Sequence, residues 1–131
     1  MTNRARKLEP QKDFGNMEEP PDLLAATMRM DLDEIKKILK KNPNSIGDLN
    51  GEGNNAMHLC IGGGSHRVKH IMQFFVDHTA INLLHENADG YSPIDLANAI
   101  NDKEAVDFLY EPTVRQLRAA YPDDKAELVF V

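Results

Sequence analysis

Three times between residues 22 and 111 the chain repeats one pattern: a short apolar helical stretch, a tight break, and a longer amphipathic stretch. In the first unit Asp22 is placed to cap Leu23–Thr27, because a carboxylate there accepts from the open N–H groups of the first turn. From Asp31, Leu32, Ile35, Ile38 and Leu39 recur at helical spacing, with Lys36, Lys37, Lys40 and Lys41 mostly outside that stripe. The lysines suit the negative end of the helix dipole, and Asn42-Pro43-Asn44 stops the run. In the second unit Asn55–Ile61 is followed by Gly62-Gly63-Gly64-Ser65 and then by His66–Val76, which carries Val68, Ile71, Met72, Phe74, Phe75 and Val76. In the third, Ser92–Ile100 is followed by Asp102–Tyr110, with Ala105, Val106, Phe108 and Leu109 inward. Isolated helices below about 12–15 residues are marginal in water. Such units must therefore bury their apolar faces on one another, which predicts an all-α solenoid of three helix-turn-helix units.

The flanks read differently. Residues 1–20 hold only Leu8 and Phe14 of the large aliphatic and Phe side chains, mix their charges, and lead into Pro20-Pro21. That segment is expected to be a flexible leader, since it has little apolar surface to offset ordering. Residues 21–111 form the repeat domain, with units at roughly 21–49, 50–86 and 87–111. Residues 112–131 are expected to cap it: Pro112 ends the third unit, Val114, Leu117 and Tyr121 recur at i, i+3 and i+7, and Pro122 stops that stretch. The closing Val129-Phe130-Val131 has the composition of a strand that could add to a sheet edge in a carboxylate-capturing domain; packing on the repeats or fraying is the plainer reading.

These units resemble ankyrin repeats, whose period is about 33 residues with a G-x-T-P-L-H-x-A-like signature. The third unit reads Gly90-Tyr91-Ser92-Pro93-Ile94-Asp95-Leu96-Ala97, the second Gly53-Asn54-Asn55-Ala56-Met57-His58-Leu59-Cys60, and the first begins at Leu23-Leu24-Ala25-Ala26 like an N-terminal capping repeat. Ser45-Ile46 and Ala80-Ile81-Asn82 are similar to the family's unit ends. The resemblance implies positive φ at Gly53 and Gly90, capping by Ser92 and Asn55, and a hydrogen bond from His58 to the neighbouring turn. The departures are equally specific. Gly53 to Gly90 is 37 positions, Asp95 stands at the histidine position, and Met30 stands where the family turns with glycine, which implies a rearranged first loop.

The chemistry classes narrow quickly. A net charge of −6 disfavours a general nucleic-acid binder or a binder of anionic membranes. No apolar run approaches the ~18 residues of a membrane span. Met1–Pro20 lacks the apolar core of a signal peptide. One cysteine, Cys60, excludes an intramolecular disulfide and a cysteine-rich zinc site. A soluble protein of a reducing compartment follows as the expectation, in the cytoplasm or the nucleus.

No serine sits in a nucleophile-elbow context, and Cys60 with His58 is an i, i+2 pair that diverges on a helix. His66 and His70 share a face at i, i+4, a zinc-ligand spacing, but lack an evident third ligand. The Gly62–Ser65 loop lacks the lysine of a phosphate-binding loop. No cofactor or metal is expected.

The excess negative charge lies almost wholly in residues 87–111, where Lys103 faces six acids. Glu104, Asp107 and Glu111 fall on one helix face with Asp102 and Glu104 near its N-terminus: a solvated outer face, or an acidic docking face for a basic partner that salt would weaken. The family resemblance implies partner binding through turn tips and inner helices. Carried onto this chain, the tip residues are Gly51, Glu52, Asn54, Asp89 and Tyr91, with Tyr91 as the aromatic anchor. The expected function is thus a non-catalytic adaptor, inhibitor or targeting module for a folded protein. A histidine-dependent metal-binding regulator or enzyme, and a self-associating structural protein, are the alternatives.

Overall fold

The computed structural model describes residues 22–123 and Leu128. Residues 1–20 and Val129-Phe130-Val131, the expected leader and tail motif, lie outside the described residues. The described residues are all-α, without a strand. Six α-helices follow in order: α1 (Leu23–Met28), α2 (Leu32–Lys41), α3 (Ala56–Cys60), α4 (His66–His78), α5 (Pro93–Ala99) and α6 (Lys103–Ala120), with a 3₁₀ turn at Pro43–Gly47 after α2.

Each helix opens on a side-chain cap. Asp22 accepts from Leu24 and Ala25 N–H, Asp31 from Glu34, Asn55 from Met57 and His58, Ser65 from Val68, Ser92 from Asp95, and Asp102 from Ala105. In helices as short as α1 and α3 most backbone groups belong to an end, so capping governs their stability. α1 and α5 end alike. Met30 (φ 56°) and Asn101 (φ 62°) take the left-handed conformation. Their N–H groups reach Thr27 and Asn98 carbonyls, while the following Asp31 and Asp102 N–H reach Ala26 and Ala97. This is the Schellman closure, in which two backbone hydrogen bonds satisfy orphan carbonyls and offset the left-handed strain. The rearrangement expected at Met30 therefore does not occur: methionine adopts the backbone that glycine would. The middle connection departs instead, with positive φ at both Gly62 and Gly64.

α1 packs on α2, α3 on α4 and α5 on α6; α3 also lies against α1 and α5. Ala26, Ala56 and Ala97 are wholly buried, and their small side chains let the short helices approach closely. Leu23, Ile35, Met57, Phe75, Ile94 and Leu109 fill the core around them. Leu128 packs partly buried against the same cluster.

Pro112 does not end the third unit. It sits inside α6, which continues for two further turns to Ala120, and Val114 is buried. Proline removes one donor, but packing of the flanking apolar residues holds the helix together. This continuation places Gln116 over the chain after α4: its Nε2 donates to Ile81 O (2.8 Å) and its Oε1 accepts from Leu83 N–H (2.8 Å). Tyr121, expected on the inner stripe, is exposed. Among the described residues no helix is long and apolar enough to cross a membrane.

Beside Pro112, Thr113 is buried, and among the described residues its Oγ1 has no hydrogen-bond partner. Replacing an unsatisfied buried hydroxyl with a methyl removes a desolvation penalty. Thr113→Val is expected to raise the free energy of unfolding by about 1 kcal/mol in a urea titration.

Candidate functional site

Two turns of the same construction lie one unit apart. In the first, Asn50 Oδ1 accepts from Glu52 N–H (2.9 Å) and Asn54 N–H (3.0 Å), Gly53 N–H donates to Asn50 O, and Asn50 N–H donates to Asn54 O. In the second, Asn87 Oδ1 accepts from Asp89 N–H (3.0 Å) and Tyr91 N–H (3.0 Å), Gly90 N–H donates to Asn87 O, and Asn87 N–H donates to Tyr91 O. Gly53 and Gly90 supply the positive φ, 77° and 87°, that an L-residue adopts at a cost. The shared Asn-x-acid-Gly spacing was readable in both segments; the asparagine at its head, which organises each turn, was missed as a functional residue.

The turns are fastened to each other. Ala88 N–H donates to Glu52 O (2.9 Å), and Asn87 Nδ2 donates to Asn54 Oδ1 (2.9 Å). A Cβ on Gly53 would stand 3.0 Å from Ala88 N, so the backbones are nearly in van der Waals contact there. Two histidines tie the bases of the turns. His58 Nε2 donates to Tyr91 O (2.8 Å) and His85 Nε2 to Gly53 O (2.9 Å), the rings meeting edge to face at 6.1 Å. Since Tyr91 O only accepts, the His58 proton sits on Nε2, leaving Nδ1 to accept from Asn55 N–H (3.0 Å). Asn55 completes the link through Nδ2 to Asn82 O (2.9 Å). The expected bond from His58 to the neighbouring turn is present. Asp95, at the equivalent position in α5, accepts locally from Ser92 Oγ (2.9 Å) and, among the described residues, from no neighbouring turn.

The predicted tip residues divide by role. Gly51, Glu52, Asp89 and Tyr91 are exposed, whereas Asn54 is half-buried and committed to the bond with Asn87. Tyr91 is 39% exposed, an amphipathic ring at the mouth of the second turn. Leu49 precedes the first turn and is also exposed, beside a hollow of about 180 Å³ lined in part by Ile46, Asn82 and His85. Met28 and Ile100, at the C-terminal ends of α1 and α5, add exposed apolar surface.

The acidic residues of α6 are less available than their spacing implied. Asp102 caps α6 and also accepts from Gly62 N–H (2.9 Å), 40 residues earlier. Glu104 pairs with Lys69 Nζ (2.9 Å) across a groove of about 540 Å³ between α4 and α6. Asp107 lines that groove and Glu111 is exposed. His66 and His70 line it from the α4 side. Among the described residues no group of three or more His, Cys, Asp or Glu side chains could hold a metal ion. Cys60 is buried, and loss of solvation pushes its thiol up to about 12, so the nucleophilic thiolate is scarce at neutral pH.

No family model matches the chain, and no curated protein matches it.

Gly53→Ala is expected to cost about 1–2 kcal/mol from the left-handed backbone, with a further loss from crowding Ala88. Gly51→Ala, whose Cβ would meet nothing within 4 Å, should leave the urea midpoint nearly unchanged. The pH dependence follows from His58, whose pKa lies below 6.5 because burial opposes its charge, an effect reinforced by His85 and partly countered by the bond to Tyr91. The unfolded chain takes up this proton near pH 6.5, while the folded chain resists it until lower pH. This stabilisation is therefore fully present above pH 6.5 and declines as the pH falls below it. Urea titrations between pH 8 and 5 should show that decline in the natural chain, and a shallower one in His58→Gln.

Proposed function

We propose that this chain is a non-catalytic protein-binding module, built as an ankyrin-type solenoid of three helix pairs with the end of α6 as its C-terminal cap. Its partner is a folded protein with a basic contact surface, and its effect comes from blocking, recruiting or positioning that partner. The observation that carries this reading is the hydrogen-bonded fastening of the two tip turns. Glu52 O receives Ala88 N–H, and Asn54 receives Asn87, so Glu52, Asp89 and Tyr91 stand on one braced strip. A braced strip loses little conformational entropy on docking, which leaves more of the contact energy for affinity.

The chemistry of the strip supports the choice of partner. Two exposed carboxylates flank the turn openings, and one aromatic ring offers area at low entropy cost. Asp107 and Glu111 place further exposed negative charge on α6. The sequestered Cys60 thiol gives no support to covalent chemistry. Its free, buried state suits a reducing compartment, the cytoplasm or the nucleus.

The test is a capture experiment with the full chain. Partners retained by the natural protein are identified, and their affinity is compared with that of the combined variant Tyr91→Ala, Glu52→Gln, Asp89→Asn. Loss of a central aromatic anchor and two charges is expected to weaken binding by about 30-fold or more, equivalent to about 2 kcal/mol. Binding by the natural chain should also weaken with added salt. Unchanged affinity in the combined variant, with helical circular dichroism intact, overturns the reading.

A further inference from the structure

We propose that Asn50 is a site of spontaneous covalent modification, cyclising with the Gly51 backbone nitrogen and then hydrolysing to aspartate or isoaspartate, while the fold protects its counterpart Asn87. Asn50-Gly51 is the one Asn-Gly pair in the chain. Cyclisation requires the following backbone nitrogen to reach the side-chain Cγ, and glycine places no Cβ in its way. Gly51 is exposed with open space around it, and among the described residues its N–H has no hydrogen-bond partner. Asn50 Oδ1 meanwhile accepts from Glu52 and Asn54 N–H at 2.9 and 3.0 Å. Those donors face the oxygen on which negative charge develops as the nitrogen attacks, the arrangement that stabilises a tetrahedral intermediate.

Asn87 is an internal control. Its Oδ1 receives the equivalent pair of N–H donors, so polarisation of the carbonyl is matched. The nitrogen that would attack belongs to Ala88, carries a Cβ-bearing residue, and is committed to Glu52 O at 2.9 Å. The amide that would leave is itself held, through Nδ2 on Asn54 Oδ1 at 2.9 Å. Among the described residues, therefore, neither the Gly51 nitrogen nor Asn50 Nδ2 has a hydrogen-bond partner, whereas both equivalent groups of the second turn are held.

The atoms balance without an oxidant or a reductant. The Gly51 nitrogen bonds to Asn50 Cγ and gives up its proton; the Cγ–Nδ2 bond breaks and ammonia departs with a proton, leaving a five-membered succinimide. Water then opens the ring at either carbonyl. Opening at the Cγ carbonyl yields aspartate, which keeps an acceptor for both turn N–H groups and adds a negative charge beside Glu52. Opening at the backbone carbonyl yields isoaspartate, which routes the main chain through the side chain and lengthens it just before Glu52, whose carbonyl fastens the two turns.

The full chain is incubated in mildly alkaline buffer made with heavy-oxygen water, digested, and both asparagine peptides are followed by mass spectrometry. The Asn50 peptide is expected to gain acid mass with a heavy oxygen at least about tenfold faster than the Asn87 peptide, a barrier lower by about 1.4 kcal/mol. Gly51→Ala should slow the Asn50 reaction while leaving circular dichroism unchanged, since the site is open and Gly51 is not among the positive-φ glycines. Asn50→Asp should fold like the natural chain. An Asn50 that persists unconverted, an Asn87 that converts as fast, or a Gly51→Ala chain that reacts at the natural rate overturns the assignment.

Discussion

A helix of five or six residues in water has more unsatisfied backbone groups than internal hydrogen bonds. α1 and α3 are of that length, so the structure depends on groups outside each helix completing its ends. Side-chain caps do so at the N-termini. At the C-termini of α1 and α5, left-handed residues fold the chain back onto the exposed carbonyls. The same necessity extends to the loops. Asn50 and Asn87 each satisfy two backbone N–H groups with one side-chain oxygen, and the two turns then satisfy each other. Hydrogen-bond completion, rather than apolar burial alone, gives the connecting segments their definite shape.

Burial supplies the complement. The fully buried alanines of the short helices keep neighbouring backbones close, and larger side chains such as Phe75 and Leu109 fill the space beyond them. Close backbones are what allow His58 and His85 to span from one segment to the next. The neutral His58 ring serves as both donor and acceptor, a pairing that a protonated ring cannot keep. The tip strip and the core are therefore mechanically continuous: a change at the base of a turn is felt at its exposed edge.

Much of the local structure was legible in the residues. The apolar spacing of Ile35 and Ile38, or of Ile71 and Phe75, marked buried helix faces, and all four side chains are buried. Asp22 announced a helix start because a short polar side chain before an apolar run has one favourable use there, and the repeat resemblance implied the same role for Asn55 and Ser92. Gly53 and Gly90 announced turns. Pro112 misled, because a proline within a helix costs one donor, and only packing on both sides decides whether the helix survives it. Met30 misled for a related reason. Its left-handed backbone is stabilised by two hydrogen bonds from residues whose positions depend on the closed loop.

Charge was the least legible property. The spacing of Asp102, Glu104, Asp107 and Glu111 defines a helix face, but not what that face meets. Asp102 is taken up by Gly62 and by its own helix, and Glu104 by Lys69, partners 35 to 40 residues away in sequence. By itself the sequence determined where the helices begin, which faces they bury and where the two glycine turns lie, because those follow from interactions within a few residues. Only the tertiary structure decided which polar groups remained free. A side chain's availability depends on long-range neighbours, such as Gln116 on Ile81 and Leu83, that no local spacing encodes.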